Sequence, residues 1–186
     1  DFKTNEYAIL LGGEGFEPWY VNCTPVINSQ GERKTVSRHS TDDGFNYKIQ
    51  DMLGQIRSGC GDAGEILATV AAITDGDDES WVTAWRALGD RVAKIADDAA
   101  AEHPVSAREA YLRAATYYAA VLDEVDGVHD AAPPLDAAFA AHRRCLDAWA
   151  HLCDPPVTKV DIPYEGSTMP GWFFSADRSD AGAATK

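Results

Sequence analysis

Ser106-Ala-Arg-Glu-Ala-Tyr-Leu-Arg-Ala-Ala-Thr-Tyr-Tyr118 decides how this chain folds. Tyr111, Ala115, Tyr118, Leu122 and Val125 follow at steps of four and three, the spacing of one helical face. Ser106 and Glu109 read as a capping box, the serine accepting from the Glu109 N–H while the glutamate reaches back. The same period runs on either side. Trp81, Trp85, Leu88, Val92, Ile95 and Ala99 form one stripe, and Leu135, Phe139, His142, Leu146, Trp149 and Cys153 form another. Three amphipathic helices in succession must bury their stripes against one another. The spacing therefore predicts a helical bundle or layer between Asp75 and Cys153, with Trp81 and Trp85 at its deepest point.

Upstream, Phe45, Ile49, Met52, Leu53 and Ile56 share a helical face that ends at Ser58-Gly-Cys-Gly61. Ile66, Leu67, Val70 and Ile73 mark a short second helix, which brings the expected number to about five. Thr74-Asp-Gly-Asp-Asp-Glu-Ser80 is acidic, but it lacks the alternating oxygen ligands and closing glutamate of a calcium loop. It reads as a carboxylate-rich start to the Trp81 helix. His103-Pro-Val breaks the chain before Ser106, and residues 125–134, with Gly127 and Pro133-Pro134, read as a loop. His142 and Cys145 offer two ligands, too few for a metal, and His142 reads as a core histidine satisfied by a neighbour. Cys60 has Asp62 nearby and nothing to stabilise a thiolate, so it is not expected to act as a nucleophile.

Beyond Asp154-Pro-Pro156 the pattern changes. Val160, Ile162 and Tyr164 alternate with Asp161 and Pro163, Glu165-Gly-Ser-Thr168 reads as a turn, and Met169, Gly171 and Phe173 alternate again. This predicts an antiparallel hairpin, and two strands alone are barely stable in water, so the hairpin needs a sheet to join. Asp177–Lys186 reads as a small, polar surface loop. Residues 1–44 are the least legible. Trp19–Ile27 and Glu32–Arg38 read as two strands around a turn at Asn28–Gly31, with Pro25 holding the first to an edge. Gly12, Gly13 and Gly15 lack the Lys-Ser/Thr of a phosphate loop and read as an ordinary loop.

Hydrophobic residues make up 45% of the 186, enough for a real core, while a net charge of −14 opposes both nucleic acid and anionic membrane surfaces. No apolar run approaches the roughly 20 residues that span a bilayer. Cys23, Cys60, Cys145 and Cys153 are scattered, which fits a reduced, cytoplasmic protein. Nothing at the start reads as a secretory signal, and Asp1 in place of Met suggests an N-terminus that begins further upstream.

Several motifs occur in one order: Gly64-Glu-Ile-Leu-Ala-Thr-Val-Ala-Ala-Ile73, Asp78-Glu-Ser-Trp with Trp85, Ser106–Tyr118, and Asp154-Pro-Pro followed by Ile162-Pro-Tyr-Glu-Gly-Ser-Thr-Met-Pro-Gly-Trp-Phe-Phe174. Together, over about Phe45 to Phe174, they resemble the α/β-hydrolases that carry a large helical cap ahead of the catalytic sheet, a group that includes 2,6-dihydroxypseudooxynicotine hydrolase and esterase-like relatives. The resemblance implies a mainly α chain followed by an antiparallel hairpin that begins a hydrolase sheet, with the complete protein α/β. It divides the chain into an extension at 1–44, a helical cap at 45–154 and the first two sheet strands at 155–186. It also implies an N-terminal portion, truncated or cleaved, of a serine hydrolase that acts on a small organic ester or ketone by C–O or C–C cleavage. No Gly-x-Ser-x-Gly is present, so no catalytic residue is assigned in this chain, which is expected to be inactive alone.

The implied partners are the remaining catalytic portion and a small-molecule substrate, with a homodimer as a further candidate assembly; no cofactor or metal is expected. A non-enzymatic helical interaction module is the alternative. Two departures from the family stand out: residues 1–44 have no counterpart, and Ala119-Ala-Val-Leu-Asp-Glu124 replaces the Arg and aromatic residues common in the family after the tyrosine pair. Arg113 and Tyr117, one turn apart and off the packing stripe, are candidates for substrate binding with Tyr118 beside them; such donors suit a carboxylate, phenolate or enolised ketone. A structural pairing of Arg113 with Asp123 or Glu109 competes with that role.

Overall fold

The structure is a computed structural model that describes residues 26–27, 33–34, 38–155 and 157–174. The chain divides into two compact units, 1–38 and 39–186. In the first, β1 (Val26–Ile27) pairs antiparallel with β2 (Arg33–Lys34), the core of the expected strand pair. The glycine-rich loop, most of the Trp19 strand with Pro25 and Cys23, the Asn28 turn and the Asp177–Lys186 loop lie outside the described residues.

Among the described residues the second unit holds five α-helices and a hairpin. The helices are α1 (Asp43–Gln55), α2 (Ala63–Val70), α3 (Asp78–Ala99), α4 (Pro104–Leu122) and α5 (Ala132–His151). Aspartates begin the first three: Asp42 accepts from the Phe45 N–H, Asp62 from that of Glu65, and Asp77 from those of Glu79 and Ser80. The acidic run before Trp81 is therefore a cap, reinforced by Asp78 and Glu79 in the first turn. Gly59, at φ 76°, closes the turn that ends the first helical segment.

Prolines begin the other two helices, which corrects two expectations. Helix α4 starts at Pro104 with His103 at the cap position and no side-chain cap, so Ser106 lies exposed inside the first turn rather than capping it. Proline's fixed φ and missing N–H suit the first helical position, and the Ala107 N–H bonds to the His103 carbonyl at 2.9 Å. Likewise Pro133 and Pro134 lie in the first turn of α5, not in a loop.

Helix α4 lies between α3 and α5 and is buried almost all round, through Ala107, Ala110, Ala114, Ala115, Tyr117, Tyr118, Ala120 and Val121. Alanines let the helices approach closely. Gly89 of α3 belongs to the same contact, since a Cβ there would sit 2.9 Å from the Tyr118 ring. The aromatic centre is a chain of rings: Phe45 to Trp81 at 4.4 Å, Trp81 to Trp85 at 5.5 Å and Trp85 to Tyr117 at 5.9 Å between centroids. Trp81 Nε1 donates to the Ala120 carbonyl at 2.7 Å. Trp81 and Trp85 are fully buried, as their spacing predicts.

Elsewhere the stripes are rotated. Ile95, Leu135 and Phe139 are 47%, 40% and 55% exposed, while Ala93, Ala96, Ala138 and Cys145 point inward. Small residues face the crowded helix contacts and the large ones at these positions turn outward. His142 bonds through Nδ1 to the Ala115 carbonyl at 2.8 Å, so it is held by its neighbour as expected but is half-buried rather than in the core.

After α5, β3 (Thr158–Tyr164) and β4 (Ser167–Phe173) form the hairpin, with Val160 opposite Gly171 and Ile162 opposite Met169. Its turn is the two residues Glu165 and Gly166, shorter than the four-residue turn expected from sequence. Their φ values of 45° and 78° are those of the tight loop that matches strand twist. Val160, Ile162, Tyr164, Met169 and Phe173 share one face, and the last four are largely exposed. Neither outer edge of the hairpin has a strand partner among the described residues.

Candidate functional site

The three candidate side chains lie within two turns of α4 but reach different surroundings. Arg113 Nε donates to Glu65 Oε2 at 3.2 Å, and the Tyr117 hydroxyl donates to the same oxygen at 2.7 Å. The Asp62 N–H in turn donates to the Tyr117 oxygen at 3.0 Å. Asp62 caps α2 and Glu65 lies in its first turn, so this cluster fastens α2 to α4. Arg113 pairs with Glu65 rather than with Asp123 or Glu109, because α2 brings a carboxylate across from 48 residues away. Asp123 lies at the other end of the layer, where its carbonyl accepts from Lys48 Nζ at 3.0 Å and the same ammonium pairs with Glu124. Tyr117 also departs from the expected free face, since it is fully buried against Trp85.

Tyr118 points the other way and donates to Asp90 Oδ1 of α3 at 2.6 Å. One rung further along the same helix pair, Tyr111 donates to Asp97 Oδ1 at 2.7 Å, and Arg144 of α5 donates to that oxygen at 2.9 Å. Phenols and carboxylates seven residues apart on two antiparallel helices thus make a two-rung ladder. Asp90, Val82, Thr83, Arg86, Ala87 and Pro134 line an open groove of about 330 Å³, so Tyr118 reaches that groove through Asp90.

Burial raises the Tyr117 phenol pKa well above its ordinary value, and the bond to Glu65 raises it further. Burial and then Asp90 do the same for Tyr118, while burial and Asp97 push Tyr111 up to about 12. All three phenols stay protonated at neutral pH, so they serve as hydrogen-bond donors and not as bases. For Asp97, burial pushes the pKa up, but the bonds from Tyr111 and Arg144 outweigh it and leave the carboxyl below its usual range.

A depressed folded-state pKa contributes stability that is present above the unfolded value, about 3.9, and is lost as pH falls through the folded value. Chemical denaturation of Asp97→Asn between pH 6 and pH 3 is therefore expected to give a flatter stability curve than the parent. An unchanged slope would contradict the ladder.

Among the described residues no group of three or more His, Cys, Asp or Glu side chains is placed to hold a metal ion, and no helix is long and apolar enough to cross a membrane. Sequence reasoning missed Glu65, Asp90 and Asp97. Each reads locally as a cap or surface carboxylate, and only the tertiary fold gives it a phenol.

No protein-family model matches the chain. Curated relatives do. The alpha/beta hydrolase xenA of Xenoacremonium sinensis is 38% identical over 133 residues, covering 70% of this chain and 30% of the relative. The alpha/beta hydrolase pydG of Acremonium sp is 36% identical over 134 residues, again 70% of this chain and 30% of the relative. The 20-hydroxy-prefusarin hydrolase FUS2 of Gibberella moniliformis is 34% identical over 134 residues, 71% of this chain and 32% of the relative. The chain thus spans about a third of the length of these relatives.

Proposed function

Because the chain is related in sequence to proteins named α/β hydrolases, we propose that its helices are the cap of such an enzyme and its hairpin the first two strands of the catalytic sheet. The cap covers the active site, excludes water and fixes the substrate's orientation. A Ser–His–acid triad and oxyanion hole from the remaining catalytic portion cleave a small organic ester or ketone. The observation that carries this reading is the relatedness itself, over some 70% of the chain. The hairpin supports it: its outer edges are unpaired among the described residues, and one face presents Ile162, Tyr164, Met169 and Phe173 to solvent. Such a surface suits addition to a larger sheet.

Within the cap, Arg113 and Tyr117 act through Glu65, setting where α2 lies, and Tyr118 orients Asp90 at the α3 groove. One relative is named for 20-hydroxy-prefusarin, which is a further candidate for the organic substrate of this cap.

The test has two arms on activated esters. The 186-residue chain alone is expected to give no turnover, since a triad needs all its members placed together and no nucleophile-elbow motif is present. Residues 38–174, exchanged for the matched region of the xenA hydrolase, are expected to support hydrolysis. Turnover by the isolated chain that a point mutation abolishes would overturn the first arm. A folded chimera without activity beside an active parent would overturn the second.

A further inference from the structure

The contact between α5 and the hairpin is built from four side chains in register. Arg143 and Asp147 lie one turn apart on α5, and Lys159 and Trp172 are direct cross-strand partners in β3 and β4. Asp147 Oδ1 accepts from Trp172 Nε1 at 3.1 Å, and its other oxygen accepts from Lys159 Nζ at 2.8 Å. The Arg143 guanidinium lies 4.4 Å from the Trp172 ring centroid. One indole is thus held by its face and by its edge. Beside it, Trp149 meets Phe174 at 6.0 Å, and the Val157 N–H bonds to the Ala150 carbonyl at 3.0 Å, which ties the connecting segment back to α5.

We infer that Asp147 is a positioning residue that locks the hairpin to α5, so that helices and hairpin move as one body. A single carboxylate satisfies donors from both strands, which fixes the direction of the hairpin as well as its distance. A lone ion pair at this exposure contributes little to stability. Here the carboxylate also fixes the indole edge while the guanidinium holds the ring, and a cation over an aromatic face adds to the restraint. The consequence rests on the cap reading. If the hairpin enters the catalytic sheet, the helical layer is a fixed roof and does not swing open relative to the hairpin. Substrate then enters past a side of the cap.

Residual dipolar couplings on the isotopically labelled 186-residue chain test the lock without reference to catalysis. One alignment tensor is expected to fit α3, α4, α5 and both strands. In Asp147→Ala the hairpin couplings should shrink by roughly a sixth or more relative to the helices, because couplings scale with S and S² falls from about 0.85 in a rigid backbone to below about 0.6 in a flexible one. Trp172→Phe keeps a ring under Arg143 but removes the donor, and should give an intermediate loss; it also serves if the alanine variant fails to fold. Separate tensors in the parent, or couplings unchanged in both variants, would overturn the inference. A rigid body in solution paired with an inactive chimera would leave the lock standing and remove the cap reading.

Discussion

Trp85→Ala is expected to cost about 3–5 kcal/mol, the range for large aromatic side chains removed from a core. At roughly 2–4 °C per kcal/mol for a chain of this size, the thermal midpoint should fall by about 6–20 °C. The effect is large because Trp85 is fully buried and joins two neighbours, Trp81 at 5.5 Å and Tyr117 at 5.9 Å, so truncation opens a cavity inside the ring chain. Trp85 Nε1 is buried with no hydrogen-bond partner among the described residues. That lost hydration offsets part of the packing gain, so Trp85→Phe should cost far less than the alanine variant. Thermal denaturation of both variants checks this. An alanine variant that melts within a degree or two of the parent would show that the rings are not the core.

The second large effect is Glu65→Ala. Its carboxylate is the shared acceptor for Arg113 and Tyr117, and removing it strands a partly buried guanidinium. Fully buried pairs broken in this way lose about 3–5 kcal/mol; with both side chains still reaching solvent, about 2 kcal/mol is expected here. The Tyr117 oxygen keeps the Asp62 N–H, which limits the damage. Ile66 is the one buried residue of α2, so that helix depends on this cluster and should show faster amide exchange than α3 or α4 in the variant. Glu65→Gln retains an acceptor and should lose about half as much. A Glu65→Ala protein with parent stability and unchanged exchange in α2 would contradict the fastening role.

Element types were legible in the sequence because apolar period distinguishes helix from strand over runs of this length. Five helices and a closing hairpin followed from it, and Trp81 with Trp85 marked the deepest contact. Which way each helix faces was much less legible. In α4, alanines at 107, 110, 114 and 120 are buried as well as the Tyr111, Ala115 and Tyr118 stripe, so that stripe describes only one of two packed sides. The same rule places Ile95, Leu135 and Phe139 inward, although their helices meet α4 through smaller residues.

The partners of the candidate residues were out of reach for a different reason. Glu65 and Arg113 are 48 positions apart, and a glutamate in a first helical turn already has a sufficient local explanation in the helix dipole. Asp147 carries no signal until the hairpin is folded onto α5. The capping box at Ser106 was outweighed two residues earlier by Pro104, whose backbone geometry alone can begin a helix.

The proposed role of this helical layer and hairpin is that of the cap and first strands of an α/β hydrolase. Its most direct test is kcat/KM of the xenA chimera across a series of esters graded in acyl size, set against the parent enzyme. The chimera is expected to hydrolyse esters with a kcat similar to the parent's, while its preference among acyl groups shifts, because the catalytic groups are unchanged and the cap wall is new. A correctly folded chimera that is inactive, or one with the parent's selectivity at every acyl size, would contradict it.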